Sequence, residues 1–287
     1  MPAQFLRDEV FSFSPISRQG RKTRWSIDAV IAEATRDPAH PEAWRHVAED
    51  RRLEPLVMTD TTLVQVRDIA RTAVTSGREE GGRRFRSTGN ALVSRVVSYP
   101  VRVDDLGYPR DVLNDMVGRG FAGEHIEDPD VDRFISWARM SVEWSRRDLG
   151  GDVAAVAHLD EENGHCHILR PLQIDPETGI ASLGFWRPAA AQIAVRQSAR
   201  RDGFRHRPAD SKAAFQAAVR GVAEDYQLAV GVHFGHSLAS DTPRKREPYR
   251  TRRRSPKPSA RPPSPPPRPT QRQTGSGPRK PRPKPGR

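Results

Sequence analysis

Apolar residues recur along the first half of the chain at spacings that predict its secondary structure. Ser26 can cap a helix in which Ile27, Ile31 and Ala34 follow at helical intervals. A longer helical pattern begins after Asp130, and it places aromatic side chains, two of them tryptophans, on one face. The spacings also predict strands over residues 10–13 and 92–99, and helices after Asp60, over 109–117 and over 131–148.

Residues 150–185 change from helical to strand patterning. Gly150 and Gly151 end the preceding helix, and apolar, β-branched runs then alternate with short turns. The runs predict antiparallel strands at residues 153–159, 165–174 and 180–185, followed by helices at 188–200 and 211–228. Antiparallel strands with separate helical runs indicate an α+β fold, with a central antiparallel sheet flanked by helices.

Positive charge is concentrated at the C-terminal end of the chain. The net charge is +12, but residues 243–287 hold sixteen Lys or Arg against a single acid, Glu247. Residues 1–242 therefore carry a net charge of −3. We predict a folded domain over residues 1–242 and a disordered, proline-rich basic tail over 243–287. Such a tail attracts polyanions, nucleic acid first and anionic lipid second, whereas the simpler alternative is a solubilising linker.

Cysteine usage and hydropathy restrict the location of the protein. Cys166 is the only cysteine, which excludes an internal disulfide and indicates a reducing compartment. No apolar run approaches the ~20 residues needed to cross a bilayer, and the first residues lack the pattern of a signal peptide. We therefore expect a cytoplasmic protein with no membrane partner.

Candidate chemistry is concentrated in residues 158–167, which contain three of the nine histidines. His165 and His167 are two residues apart, so a strand directs both imidazoles to one face. His158 ends the preceding predicted strand and can lie opposite them across a short turn. Three neutral imidazoles can bind a divalent metal, Mn²⁺, Mg²⁺ or Zn²⁺, and leave positions open for substrate oxygens. An open site of this kind suits Lewis-acid activation of a phosphoryl group.

Three consecutive acids, Asp160, Glu161 and Glu162, occupy the turn between these strands. One of them can orient a ligand imidazole by accepting a hydrogen bond, and one can act as a general base. The alternative is that the acids form a solvated turn and that the histidines are incidental. Three histidines at strand-compatible spacing between apolar runs make this alternative the weaker one.

The histidine block resembles that of the plasmid mobilisation and recombination (Mob/Pre) relaxases. That family carries the pattern His-x-x-Glu-x-x-x-His-x-His after an amphipathic helix with a prominent tryptophan, and here it falls on His158, Glu161, His165 and His167. The resemblance implies an HUH-type core in which the histidines hold the metal and Glu161 assists. It further implies a DNA endonuclease and strand-transfer activity that nicks plasmid DNA in mobilisation, conjugation or recombination.

The nucleophile of the family has no clear counterpart. Relaxases of this group place a histidine on an N-terminal helix, and Glu33 stands in the corresponding segment. A carboxylate suits this role poorly because an acyl phosphate hydrolyses readily. We select His46 as the candidate nearest that region, with His40, Tyr99 and Tyr108 as alternatives. The departure also permits a degenerate protein that binds origin DNA without nicking it.

A basic loop supplies candidate DNA contacts. It contains four arginines among glycines, namely Arg78, Arg83, Arg84 and Arg86. These side chains can bind phosphates, although a mobile basic loop without a partner is an equally good interpretation. The expected partners are plasmid DNA, single-stranded at the nick, and relaxosome accessory proteins. Two competing functions remain open, a metallohydrolase that activates water at the same three histidines and a non-catalytic DNA-binding accessory.

Overall fold

The computed structural model of the protein describes residues 3–14, 25–40, 43–44, 47–79 and 81–238. His46 and the basic tail at residues 243–287 lie outside these ranges, so the predictions made for them stay predictions. The strands are β1 (Ala3–Phe11), β2 (Leu56–Val57), β3 (Leu92–Arg102), β4 (Ala154–His158), β5 (Asn163–Pro171), β6 (Gln173–Ile174), β7 (Ala181–Ser182) and β8 (Ser237–Leu238).

The central sheet has five antiparallel strands in the order β2–β4–β5–β3–β1, and β8 joins β1 in parallel. The two short strands β6 and β7 form a separate antiparallel pair. The histidine-bearing strands β4 and β5 are thus interior strands with neighbours on both sides. The predicted α+β class, with a central antiparallel sheet flanked by helices, is confirmed.

Helices cover both faces of this sheet. They are α1 (Ile27–Thr35), α2 (Leu63–Ser76), α3 (Arg110–Phe121), α4 (Pro129–Leu149), α5 (Arg187–Arg201), α6 (Pro208–Tyr226) and α7 (Val232–Phe234). The first two share an apolar cluster with Leu92, Val156 and Leu169, whereas α4 packs with Val93 and Ile168 on the other face. Within the described ranges, no helix combines the length and apolar character that a bilayer crossing requires.

The predicted cap of α1 is confirmed, whereas α4 begins at Pro129 and is capped by Asp128 and not by the predicted Asp130. The Ser26 hydroxyl accepts a hydrogen bond from the backbone N–H of Ala29 at 3.1 Å, which satisfies a donor that the first turn of α1 leaves unpaired. Thr62 and Gln65 form a reciprocal capping box at the start of α2. The tryptophan-bearing helix α4 buries the aromatic face that its spacing predicted, including Phe134 and Trp137.

Several predicted strand boundaries are wrong, and the strand predicted at residues 10–13 runs from Ala3 to Phe11. Residues 180–185 do not add a third strand beside β5, because Ala181–Ser182 pair with β6 and Ile180 forms a single bridge with Arg78. The chain then turns into α5 at Trp186, whose side chain is buried and donates a hydrogen bond from Nε1 to Asp8 at 2.9 Å. The strand β3 continues past Pro100, with a register shift after Ser98, because proline removes one ladder donor without ending the strand.

Candidate metal centre

Three imidazoles converge on one face of the central sheet. His158 is paired with His165 across β4 and β5, and His167 follows two residues later on the same face. The three ring centroids lie 4.9 to 5.0 Å apart, and all three side chains are buried. One nitrogen from each ring lies within 4.8 Å of the other two, so the three rings could hold a metal ion. The sequence-predicted ligand set is therefore assembled in the structure.

Backbone carbonyls determine which ring nitrogens carry protons. Nε2 of His158 lies 2.9 Å from the carbonyl oxygen of Ala34, and Nδ1 of His165 lies 3.2 Å from that of Asn163. A carbonyl oxygen only accepts, so these nitrogens are the donors. Nδ1 of His158 and Nε2 of His165 then keep their lone pairs. This arrangement, in which the second nitrogen of a ligand imidazole donates to a carbonyl, is characteristic of metal-binding histidines.

The electrostatic surroundings keep two of the rings neutral. Burial, followed by repulsion from the other two imidazoles and from Arg36, holds the pKa of His158 well below its usual value. Burial and repulsion from His165 and Arg36 do the same to the pKa of His167. A neutral imidazole is the form that offers a lone pair to a metal, so both rings are ready to bind at neutral pH.

A buried arginine binds three carboxylates beside the histidines. The guanidinium of Arg36 binds both oxygens of Asp160, at 2.7 and 2.9 Å, and donates to Glu33 at 3.1 Å and to Glu161 at 2.9 Å. One guanidinium therefore contacts three carboxylates, and a divalent cation at the neighbouring imidazoles would add positive charge beside them.

The end of α1 positions this arginine. Arg36 adopts the left-handed backbone conformation with a φ of 53°, and it is the only residue other than glycine with a positive φ in the described part of the chain. Its backbone N–H donates to the carbonyls at the end of the helix, as a left-handed cap does. This backbone conformation is unfavourable for a residue other than glycine, and such strain is concentrated at functional sites.

Carboxylates approach the histidines from two sides. Oε1 of Glu161, predicted to assist the histidines, lies 3.9 Å from Nε2 of His165. Burial alone would raise the pKa of Glu161, but His165 and Arg36 outweigh it and lower that pKa. Oε2 of Glu33 lies 3.6 Å from Nε2 of His167. The sequence analysis treated Glu33 only as a poor nucleophile and did not predict its place beside the imidazoles. The available signal was that a charged residue lies within the apolar pattern of α1.

The predicted DNA-binding arginines are not beside the histidines. Arg78, Arg83, Arg84 and Arg86 are exposed in the loop between α2 and β3. That loop leads into Leu92 at the start of β3, whereas His165 is paired with Ser98 farther along the same strand. Six residues of strand separate the two positions by about 20 Å. These arginines can contact only a ligand that extends along the sheet.

Two of the alternative nucleophiles, Tyr99 and Tyr108, are also separated from the centre. Tyr99 is buried on the opposite face of the sheet, against Phe134 and Trp137. The Tyr108 hydroxyl donates to Asp128 at the start of α4, at 2.9 Å. His40 lies in the turn after α1.

By contrast, register places the half-buried Ser98 directly opposite His165, with its side chain on the same face. Sequence reasoning missed this hydroxyl because strand pairing is not visible in a local pattern.

A second basic surface lies where α5 meets α6. A cavity of about 730 Å³ opens there, and it is lined by Arg196, Arg200, Phe204, Arg205, His206, Arg207 and Pro208. The ring of Phe204 is 74% exposed, which is unusual for a large apolar side chain. Arginines around an exposed aromatic ring form a surface suited to phosphates and stacked bases. Sequence reasoning assigned this segment only to two helices.

Comparison with protein-family models, with curated proteins and with solved structures found no match to this chain. The chemistry of the centre is therefore interpreted from its own side chains. Three imidazoles, two adjacent carboxylates and a charge-sharing arginine suit a divalent cation better than any other ligand class, because the donors are nitrogen and anionic oxygen.

Proposed function

We propose that the protein is a metal-dependent DNA strand-nicking and strand-transfer protein of the relaxase type. The observation that carries the proposal is the convergence of three buried imidazoles, two of them with tautomers set by backbone carbonyls. A cation bound there would supply charge stabilisation to a phosphate group in the transition state. Plasmid mobilisation or recombination is the process in which such an activity is used.

The position of the histidine pattern supports a relaxase-like, HUH-type core. His158, His165 and His167 lie on two adjacent interior strands of a five-stranded antiparallel sheet, and Glu161 lies in the turn between them. The preceding helix α4 buries Trp137 against the opposite face of that sheet. Both features agree with the resemblance of the sequence to Mob/Pre relaxases.

The neighbouring side chains suit a role in positioning and proton transfer. Glu161 is partly exposed and lies next to His165, where it can orient a water molecule or the attacking group. Arg36 holds Glu161 and Asp160 in place through charge-assisted hydrogen bonds. We propose that Mn²⁺ or Mg²⁺ is the ion in the cell and that Zn²⁺ also binds.

Nucleic acid is the partner that the charged surfaces favour. The basic cavity between α5 and α6, the arginine loop at residues 78–86 and the basic tail at residues 243–287 all attract phosphates. Single-stranded DNA additionally offers unstacked bases to an exposed ring such as Phe204. Relaxosome accessory proteins would be further partners of a protein with this activity.

Replacing both Arg205 and Arg207 with alanine is expected to weaken binding to single-stranded DNA. Each arginine that contacts a phosphate releases about 0.7 counterion, so the dependence of log affinity on log salt should decrease by about 1.4. Fluorescence anisotropy with a labelled oligothymidylate at several salt concentrations measures this slope.

A matched double variant separates a local contact from general loss of charge. Arg119→Ala with Arg146→Ala removes two exposed arginines that are paired with acids on α3 and α4. This control should change the slope by less than half as much. An equal change in both double variants would contradict a binding site at the α5–α6 cavity.

A metallohydrolase is the second candidate function. It is favoured by the carboxylate of Glu33 beside His167, in the segment where relaxases carry their nucleophile. In such an enzyme water attacks the phosphodiester, one oxygen–phosphorus bond is broken, and the protein forms no covalent product. The same three imidazoles serve both functions.

Incubation of supercoiled plasmid DNA with the protein and Mn²⁺ tests the proposal. A relaxase leaves a nicked circle with protein attached to the 5′ end, whereas a hydrolase leaves a nick without protein. Peptide mapping of the adduct then identifies the linked residue, with Ser98 and His46 as the candidates. The absence of any nick with Mn²⁺, Mg²⁺ or Zn²⁺ on plasmids that carry transfer origins would contradict both functions.

A further inference from the structure

We infer that the open part of the sheet beside the histidines binds the substrate as single-stranded DNA, and that Phe5 stacks on a base next to the reacting phosphate. The inference rests on the proposed function, because it concerns how the same centre holds its substrate. The surface is formed by Phe5 and Arg7 of β1 and by Val96 and Ser98 of β3, and we call it the β1–β3 surface.

Strand pairing places the β1–β3 surface on the face that carries the imidazoles. Directly opposed residues of antiparallel strands project their side chains to the same face of a sheet. Two rows of opposed residues cross the sheet from β4 to β1, namely His158, His165, Ser98 and Phe5, and Val156, His167, Val96 and Arg7. Phe5 and Arg7 are therefore the β1 ends of the rows that contain the histidines.

Burial decreases along these rows toward β1. In the first row the exposed fraction rises from 1% at His158 and 5% at His165 to 44% at Phe5. Ser98, between His165 and Phe5, is half-buried. The helix α1 covers the β4 end of the row, where the carbonyl oxygen of Ala34 contacts His158. The imidazoles are thus more accessible from the β1 side, and a substrate that approaches from there crosses the β1–β3 surface.

Phe5 is an unusual residue for its position on β1. The residues that point to the opposite face, Leu6 and Val10, pack against the apolar cluster that includes α4. A strand with one buried face normally carries polar side chains on its other face, as Arg7 and Glu9 do here. The ring of Phe5 is nevertheless 44% exposed on that polar face. An exposed aromatic ring in such surroundings offers a surface on which a base can stack.

The distance between Phe5 and the histidines suits a base that neighbours the reacting phosphate. Adjacent strands are about 4.8 Å apart, so the two intervals from β5 through β3 to β1 place Phe5 about 10 Å from His165. Ser98 lies between them, and its small side chain leaves room above the sheet for the sugar–phosphate backbone. A phosphate held at the imidazoles can therefore place an adjacent base over Phe5.

The chemistry of the β1–β3 surface favours a single strand over a duplex. The bases of a duplex are stacked on one another, whereas those of a single strand offer their faces to an aromatic ring. Arg7 adds a positive charge, but it is paired with Glu9, which weakens its attraction for a phosphate. Stacking on Phe5 is therefore the main contribution of this surface to binding.

Fluorescence anisotropy of a labelled oligothymidylate with the full-length protein and Mn²⁺ tests the inference. Phe5→Ala is expected to weaken binding by at least about fivefold, since stacking of one base on an aromatic side chain contributes a factor of about 5 to 100. Phe5→Trp keeps an aromatic ring at this position and should retain the wild-type affinity. The oligonucleotide should also quench the fluorescence of the added indole, so that total quenching exceeds that of the wild type.

Two controls separate base stacking from other effects. Leu228→Ala removes an exposed apolar side chain from the segment after α6, and its affinity for the oligothymidylate should equal that of the wild type. A blunt duplex of the same length should bind equally to Phe5→Ala and to the wild type, because its bases are not available for stacking. Circular dichroism verifies that each variant is folded.

The possible outcomes distinguish this surface from the proposed function. Unchanged affinity of Phe5→Ala for the oligothymidylate would overturn the inference, whereas wild-type nicking of plasmid DNA by the same variant would leave the proposed function in place. An equal loss of affinity for the duplex and the single strand would exclude stacking and also overturn the inference. A selective loss of single-strand affinity, in a protein that nicks no DNA, would support stacking on Phe5 and contradict the proposed function.

Discussion

Replacing His165 with alanine is expected to abolish metal-dependent DNA cleavage while leaving nonspecific DNA binding largely intact. Nε2 of His165 lies at the centre of the imidazole group, 3.1 Å from His167 and 3.9 Å from Glu161. Its removal deprives the ion of one ligand and leaves the carboxylates without the charge that the ion would supply. Metal affinity and nicking rate should both fall by more than about a hundredfold, because the loss of a side chain outside the ligand set already costs up to about a hundredfold.

The cleavage assay needs a control for the loss of any histidine. His233→Ala makes the same change at an exposed position on α7, and its nicking rate should equal that of the wild type. Oligonucleotide binding by both variants is measured in the absence of metal, where both should match the wild type. Unchanged Mn²⁺-dependent nicking by His165→Ala would remove the basis for the metal centre.

Replacing Arg36 with methionine is expected to reduce the free energy of unfolding by about 3–5 kcal/mol in the absence of metal. Methionine keeps most of the apolar length of the side chain but removes the charge shared by Glu33, Asp160 and Glu161. Breaking a buried ion pair leaves an uncompensated charge, and losses of this size are typical. Urea unfolding followed by circular dichroism, with a chelator present, measures the effect.

A second buried arginine provides the matched control. Arg95 is fully buried and binds Asp8 and Asp148, each at 2.7 Å, on the face of the sheet covered by α4. Arg95→Met should cost a similar free energy of unfolding for the same reason. Any difference between the two variants in the presence of metal therefore reports the histidine centre and not the general cost of losing a buried arginine.

Added Mn²⁺ should separate these variants. The stabilisation by a bound ion grows with its affinity, and removing the Arg36 charge from beside three carboxylates increases the attraction for a cation. The difference in unfolding free energy between Arg36→Met and the wild type should therefore decrease in Mn²⁺, whereas that of Arg95→Met should not. An equal response of both variants would show that the carboxylates around Arg36 do not face the bound ion.

Local patterns were sufficient for most of the secondary structure and for the three-histidine cluster. The helix over Pro129–Leu149 has a regular apolar face, so its existence follows from spacing alone, although its cap is Asp128 and not the predicted Asp130. His165 and His167 share a face because the side-chain period of a strand is two, and His158 is brought opposite them by a short turn. These contacts lie within ten residues of one another in the chain.

Strand partners could not be predicted from these patterns. The sequence indicated a meander in which residues 180–185 follow β5 as a third strand, but β5 has β3 as its second neighbour. Pairing depends on which apolar faces are covered by helices, and both β3 and the predicted third strand have suitable apolar runs. For the same reason the position of Ser98 could not be predicted, because Ser98 lies opposite His165 only when β3 pairs with β5.

The sequence by itself determined the three-histidine cluster, the α+β class and the separation of a basic tail from an acidic body, because each depends on spacing or composition within a short segment. Only the tertiary structure decided what surrounds the histidines. Arg36 is 124 residues from Asp160 in the chain and is hydrogen-bonded to it because α1 packs across β4. Glu33 reaches His167 through the same packing. Contacts between distant segments depend on how helices cover the sheet, and no local period encodes that arrangement.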